Sequence, residues 1–286
     1  MKGLERPTPR PPTHPRGPYA RSGFPVPAKG FDRGSGTDIV PDFRSIDFTA
    51  LWRGREKVTE VESDVLKLAF SGLIMERVVE LGTGSGRLSP IVATIAQRCI
   101  LADVTLDFLK RSPLKDSPNV DRVGGNLYHL PFKKGTFDGA TMVRVYAFLR
   151  NPSAALREVH RILRPGGIFV LSYEPRPSLM SLIDDIKVAF SRRQGEPHYT
   201  RTFTRALVAE VHPSAYPAWA PTRAHFAEVV RACGFDIIEE FPTGLEDLRP
   251  FRRLPVKLFV AMARALARLG GFPSRFVVLR ALTNKG

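Results

Sequence analysis

Val78-Val79-Glu80-Leu81-Gly82-Thr83-Gly84-Ser85-Gly86-Arg87-Leu88 reads as a buried strand running into a glycine turn and then a helix. Arg77 to Leu81 is short, apolar and β-branched with one acid inside it, whereas Leu88 to Gln97 carries apolar residues at 88, 91, 92 and 95, the spacing of one helix face. Gly82, Gly84 and Gly86 stand where the backbone must turn tightly and let a ligand approach without a Cβ in the way. Strand, glycine turn and helix start together make a cofactor-binding corner. A dinucleotide site needs G-x-G-x-x-G with the pyrophosphate on the helix N-terminus. Here the pattern is G-x-G-x-G, preceded by the acid Glu80. Such a triplet alone also suits any nucleotide or a plain tight turn, so the residues that follow decide.

Arg98 to Val104 reads as a second strand ending in an acid. A carboxylate at the tip of the second parallel strand accepts both vicinal hydroxyls of a ribose, which points to Asp103; the same side chain also suits the N-cap of the next helix. Val120 to Gly124 gives a third strand, followed by Gly125-Asn126-Leu127, by Leu130-Pro131-Phe132 and by Phe137-Asp138, with Phe137 to Val143 as the fourth strand. Asn151-Pro152-Ser153 starts a helix that carries Arg157-Glu158-Val159-His160-Arg161-Ile162-Leu163-Arg164 and stops at Pro165-Gly166-Gly167, ahead of a fifth strand from Ile168 to Tyr173. The helix Ala224 to Cys233, the strand Phe235 to Phe241 and a last strand Arg275 to Leu282 complete the order.

With these strings in place the chain resembles the class I S-adenosylmethionine (SAM) methyltransferases, most closely the ubiquinone and menaquinone C-methyltransferase-like (methyltransferase type 11) group. That group reads "gDa..LPF....FD" and "REi.RvLkPGG" where this chain has Leu130 to Asp138 and Arg157 to Gly167. The likeness covers roughly residues 46–286 and is specific from 78 to 173. It implies SAM as cofactor and S-adenosylhomocysteine as product, with Glu80, Gly82, Thr83, Gly84 and Gly86 at the methionine end. Asp103, with Val104 beside it, would hold the ribose, and Asn126 with Leu127 the adenine. Asn126 departs from the family's Asp, keeping an acceptor oxygen without the charge.

The βαβαβ…αβαβ pattern with parallel-type connections argues a doubly wound α/β sheet. The resemblance adds a Rossmann-like seven-stranded order 3-2-1-4-5-7-6, the last strand antiparallel, with helical cap and lid insertions. Asp42 to Phe70 is expected to be a cap segment with Val58, Val61, Val65 and Leu68 on one stripe and Glu56, Glu60, Glu62 and Asp64 among the polar positions. Trp52 lies in the part that folds over the cofactor in similar enzymes.

Catalytic groups are sought beyond the fourth strand, because ligands in open α/β sheets lie outside strand C-termini. Relatives often carry His at positions corresponding to 147 and 148; here Ala147 and Phe148 make the acceptor pocket more apolar, and Arg144 and Tyr146 remain as polar candidates. An irregular insertion at 174–221 is expected to form the acceptor lid, with Glu174, His198, Tyr199 and His212 as candidate bases. His160 falls on a helix surface and reads as packing.

At 286 residues the chain can bury a sizeable core. Its formal charge of +15 sits at the ends: residues 1–40 hold 7 Lys/Arg against 3 Asp/Glu, and 249–286 hold 9 against none. Residues 1–41 are Pro, Gly and Arg rich and are expected to be a disordered basic tail ahead of a domain spanning 42–286. Residues 250–270 mix Arg253, Lys257, Arg264 and Arg268 with Leu, Val, Phe, Met and Ala, which suits either an interfacial helix at a membrane surface or one packed on the domain. Two cysteines give neither a disulfide framework nor a zinc cluster, and no apolar leader or membrane-length apolar run is visible, so a cytoplasmic setting with no metal is expected.

A nicotinamide oxidoreductase would share the sheet and the ribose acid but lacks its third glycine at position 87, which is Arg. A nucleic-acid enzyme would explain the basic ends, but the Asn/Asp-Pro-Pro-Tyr string of amino-methylating enzymes is replaced by Val143-Arg144-Val145-Tyr146. A cofactor-binding scaffold without turnover is the third rival. The favoured partner is a small hydrophobic acceptor.

Overall fold

The protein is described from a computed structural model covering residues 52–176, 178, 220–246, 251, 253–266 and 272–283. The expected tail and most of the expected lid, including His198, Tyr199 and His212, lie outside the described residues.

In chain order the elements are α1 (Glu56–Ala69), β1 (Met75–Leu81), α2 (Ser89–Ile95), β2 (Ala96–Asp103), α3 (Leu106–Lys110), β3 (Val120–Gly124), β4 (Phe137–Met142), α4 (Pro152–Ile162), β5 (Leu163–Tyr173), α5 (Arg223–Ala232), β6 (Phe235–Thr243), α6 (Val256–Ala265) and β7 (Ser274–Ala281). One seven-stranded sheet runs β3-β2-β1-β4-β5-β7-β6. β1 to β5 pair in parallel, and β7 inserts antiparallel to both β5 and β6. The expected order therefore holds.

The strands are near-continuous apolar runs because both faces are covered. On one face Val79, Leu81, Phe169 and Leu171 meet α4 and α5; on the other Val78, Leu101 and Val170 meet α1, α2 and α6. The boundaries differ from the sequence reading in an instructive way. The second helix stops at Ile95, and β2 begins on the next residue, so Gln97 is strand rather than helix. The Pro165-Gly166-Gly167 segment is part of β5, where it forms an irregularity opposite Phe137 and Gly139, with Gly166 at φ +78°.

Two family strings prove to be one mechanical unit. Glu158 on α4 accepts the backbone N–H of Leu130 (2.8 Å), while Arg161 donates to the carbonyls of Phe132 (2.7 Å) and Leu130 (3.0 Å). The Leu-Pro-Phe loop is thereby pinned to α4. Asp138 accepts the N–H groups of Glu76 and Arg77 (3.0 and 2.8 Å) and pairs with Arg164 (2.5 Å), which fixes the entry of β1 against β4. His160 donates through Nε2 to the Leu282 carbonyl (3.0 Å) and packs edge-on against Phe235, a structural role as expected.

α6 spends its apolar side on its own domain. Phe259, Val260 and Ala263 are buried in the layer that contains Val61 and Val65 of α1. Arg264 turns back to pair with Glu239 (2.6 Å) while staying exposed, and Arg253 and Lys257 of the expected basic stripe are exposed as well. Among the described residues no helix is long and apolar enough to cross a membrane.

Candidate active site

The cofactor corner is built by register. Leu81 pairs with Ala102 and Asp103 with Gly124, so Gly82, Asp103 and Gly125 emerge at one carboxyl edge. The Gly82 N–H donates to the Ala102 carbonyl (2.8 Å), and the Gly86 N–H closes a turn on Thr83 (3.0 Å). Gly82, Gly84 and Gly86 have φ of +70°, +53° and +79°, a region that costs an L side chain about 1–2 kcal/mol. Their surroundings differ. A Cβ at Gly82 would meet Val145 at 2.6 Å, and one at Gly86 would meet Pro113 at 2.9 Å, but one at Gly84 would meet nothing within 4 Å. Gly84 is the open face of the cradle.

Asp103 is buried and fastens that cradle. Its Oδ2 accepts the Gly84 N–H (2.9 Å) and its Oδ1 the Thr105 N–H (2.8 Å). Burial raises its carboxyl above the usual range, and the Thr105 and Gly84 N–H groups offset part of that rise. A carboxylate has about four acceptor directions, so lone pairs remain for two ribose hydroxyls. The local role leaves room for a ligand. Beside it Val104 and Leu106 are exposed, Leu106 lying over Gly124, and Leu127 is half-buried: an apolar ledge suited to a flat purine. Asn126 is half-buried, and its Oδ1 accepts the Tyr128 N–H (3.0 Å), leaving one acceptor direction. Glu80 is buried beneath the turn. Burial pushes it up to about 7, with Arg87 opposing and Asp103 adding to the rise, and its Oε2 has no hydrogen-bond partner among the described residues. The open glycine, the ribose-height acid and the apolar ledge fit SAM.

A second assembly lies at the ends of β4, β5 and β6, and sequence reading missed its centre. Glu62, placed there among the polar positions of α1, is fully buried. Arg144 reaches it through Nε (2.8 Å) and Nη2 (2.6 Å), Arg87 joins its other oxygen, and Arg144 Nη1 also reaches Glu174 (3.1 Å). Arg87 donates to Thr59 (3.1 Å) and stacks 3.8 Å from the Trp52 ring centre. Burial alone would raise the Glu62 carboxyl; the guanidinia of Arg144 and Arg87 outweigh it and hold the group below the usual range. The signal was present. The buried stripe of α1 is Val58, Val61, Glu62, Val65 and Leu66, and a charge at a stripe position announces a buried partner.

Arg144 has φ +61°, the one non-glycine residue with positive φ among the described residues, and its N–H is fixed by Ser172 Oγ (2.8 Å). Burial would lower its basicity, but Glu62 and Glu174 raise it, so it is permanently charged and organises carboxylates rather than moving protons. Tyr146, the other candidate at this strand end, is 2% exposed, with ring contacts to Tyr173 (6.1 Å) and Phe226 (5.4 Å). That is the environment of a packing residue. Among the described residues no group of three His, Cys, Asp or Glu is placed to hold a metal ion, and Cys99 and Cys233 are buried and not joined in a disulfide.

This geometry has the seven-stranded fold of the class I methyltransferases, the class that uses SAM as methyl donor. Residues 79–171 match the family described as "Methyltransferase domain". The chain is 28% identical over 200 residues to a demethylmenaquinone methyltransferase of Renibacterium salmoninarum, covering 68% of this chain and 71% of the relative. It is 26% identical over 140 residues to one of Paenarthrobacter aurescens, covering 49% and 51%. The chain thus spans about half the length of several of the curated relatives it matches. Among solved structures, the methyltransferase in a complex with the Trm112 activator of Haloferax volcanii aligns with a TM-score of 0.58 at 17% identity over 86% of this chain and all of the other. A SAM-dependent methyltransferase of Thermotoga maritima aligns with a TM-score of 0.55 at 16% identity over 82% and 94%. These two carry the fold alone.

Proposed function

We propose that the protein transfers the methyl group of SAM to a small hydrophobic acceptor of the quinone, lipid or natural-product kind, by in-line displacement. The observation that carries this reading is the open Gly84 face set beside Asp103 and the Val104–Leu106 ledge. When bound, SAM supplies a methyl group already activated on a sulfonium. The chain's task is then orientation, worth on the order of 7–11 kcal/mol.

Gly82, Thr83, Gly84 and Gly86 hold the turn that takes the methionine end, with Glu80 beneath it. Asp103 accepts the ribose hydroxyls, and Asn126 with Leu127 and Val104 takes the adenine. Arg144 sets the floor of the acceptor side; His198 and Tyr199 of the expected lid stay assigned as acid–base groups. The relatives' names favour a quinone-like acceptor. A cytoplasmic setting, with transient contact at the inner membrane surface to collect a lipophilic acceptor, completes the reading.

The test is incubation of the protein with methyl-labelled SAM and either a demethylated naphthoquinol or whole-cell extract. Label in the organic fraction is the expected result. Label confined to RNA or protein overturns the acceptor class, and failure to bind SAM in calorimetry overturns the reading altogether.

A further inference from the structure

Five charged residues from five segments converge where β4, β5 and β6 end: Glu62 on α1, Arg87 ahead of α2, Arg144 after β4, Glu174 after β5 and Glu246 after β6. Glu62 is the acid that both arginines share. Its Oε1 accepts Nε and Nη2 of Arg144, and its Oε2 accepts Nη2 of Arg87. Each of these arginines is also fastened to one end of the glycine turn. Arg87 directly follows Gly86 in the chain. Arg144 directly precedes Val145, whose Cγ2 lies 2.6 Å from where a Cβ on Gly82 would stand. Between those ends, Gly84 is held by Asp103 at the tip of β2 (2.9 Å).

We infer that Glu62 is a positioning residue for the methyl donor: through Arg144 and Arg87 its one carboxylate sets the distance between Gly82 and Gly86, and with it the shape of the cradle that takes the methionine end of SAM. The inference rests on the methyl-transfer reading above and deepens it. Glu62 acts through the arginines and does not itself touch the cofactor. A change in that distance moves the Gly84 N–H relative to the Asp103 carboxylate, so the methionine and ribose contacts shift together. Arg144 is fixed on its own side as well. Its backbone is held at φ +61° by Ser172 Oγ on its N–H (2.8 Å), which aims Val145 at the bare face of Gly82.

The chemistry of the joint calls for a carboxylate. Two anionic oxygens can serve two guanidinia at once, whereas an amide has one acceptor oxygen and turns N–H donors toward the second arginine. Stability alone does not account for the arrangement. A buried ion set returns little over well-packed apolar side chains of the same volume, and the left-handed backbone of Arg144 adds strain that persists only where the surroundings over-determine it. What the set supplies is a fixed geometry. The Trp52 ring centre lies 3.8 Å from Cζ of Arg87 and 5.7 Å from Cζ of Arg144, so one ring covers both guanidinia. Arg87 is further tied to Thr59 on α1 (3.1 Å), which leaves its side chain little freedom to follow the turn if the turn moves.

The test is SAM calorimetry on E62Q, R87M and the double variant, with D138N as the control. Asp138 also holds buried structure together, through the N–H groups of Glu76 and Arg77 and the Arg164 pair, but it stands at the start of β4, the opposite edge of the sheet. The expected result is a SAM Kd higher by about 10–100-fold in E62Q. R87M should weaken binding in the same direction, and the double variant should stay within about twofold of E62Q, because both changes cut one linkage. D138N should lower the melting temperature and leave the SAM Kd within about threefold. An E62Q Kd within about threefold of the unmodified protein, a D138N loss as large as that of E62Q, or fully additive losses in the double variant overturns the inference. Should E62Q fail to fold, an R87M Kd within about threefold of the unmodified value overturns it equally. Should the unmodified protein bind no SAM, the methyl-transfer reading fails on its own terms. Glu62 is then judged by amide hydrogen exchange of residues 82–88: faster exchange there in R87M or E62Q, with D138N unchanged, upholds its hold on the turn, and unchanged protection overturns it.

Discussion

The two halves of the site are made of different material. The corner at the ends of β1 and β2 is mostly backbone: left-handed glycines, a turn closed by N–H groups, and one carboxylate that grips two amides. The edge at the ends of β4, β5 and β6 is side chain, a buried set of guanidinia and carboxylates drawn from five separate segments. Backbone is indifferent to what group it meets beyond hydrogen-bond geometry, and suits a cofactor common to many enzymes. Side chains carry charge, shape and protons, and suit an acceptor that differs from one enzyme to the next.

Removing the centre of the second region should have the largest effect. Glu62→Ala leaves two largely buried arginines facing an empty position, and a loss of about 3–5 kcal/mol is expected in denaturant melts. A loss below about 1 kcal/mol would mean that the arginines find water and that the two regions are less distinct than drawn. Asp103→Ala should weaken SAM binding by about 1–3 kcal/mol in calorimetry and loosen Gly84, whereas Asp103→Asn, which keeps one acceptor oxygen, should cost less. Gly84→Ala sharpens the point from the other side. The open space around Gly84 limits the folding cost to the strain of its φ, about 1–2 kcal/mol, while cofactor affinity falls because the methyl group occupies the cradle.

The pH dependence separates the buried acids by sign. Glu80 and Glu246 titrate near 7 in the folded protein against an ordinary 4.5, so the folded state holds extra protons between those values and stability declines as pH rises through that window, by at most about 1.4 kcal/mol per unit for each group. Glu62 is held below its ordinary value, so its contribution is present above that value and is lost as pH falls through its lowered midpoint. Melts across a pH series on E80Q and E246Q should show the first slope flattening. The smallest effect is expected from Arg264→Ala, whose half-exposed pair with Glu239 is worth no more than about 1 kcal/mol.

The backbone half was legible in the sequence because its information is local. Glycine spacing, the acid at the strand tip and the run from Leu130 to Asp138 all lie within a few residues of what they shape. Asp103 grips the Gly84 and Thr105 N–H groups, a local duty that the strand-tip argument foresaw beside the proposed ligand role. The side-chain half was legible only in fragments. Arg144 was singled out for its place after the fourth strand, yet nothing nearby in sequence names its partner on α1, 82 positions away. Glu62 was placed among the polar positions of that helix, although its place between Val61 and Val65 marked it as buried. Tyr146 was read as polar by type, whereas its ring contacts make it part of the core. Glu246 gave no signal, since only the long return of the chain through β6 brings it to Arg144.

The direct junction of α2 with β2, where Ile95 is the last helical residue and Ala96 the first of the strand, has a consequence for how this domain tolerates length changes. With no linker to absorb it, one inserted or deleted residue at that junction would slide β2 by one position and turn every side chain of the strand to the opposite face. Cys99 and Leu101 would leave the layer they fill, and Asp103 would point away from Gly84. The nine residues from Arg111 to Asn119 join α3 to β3 largely as turns, and slack there would be taken up at the surface. Indels in this domain should therefore accumulate ahead of the third strand and be absent ahead of the second.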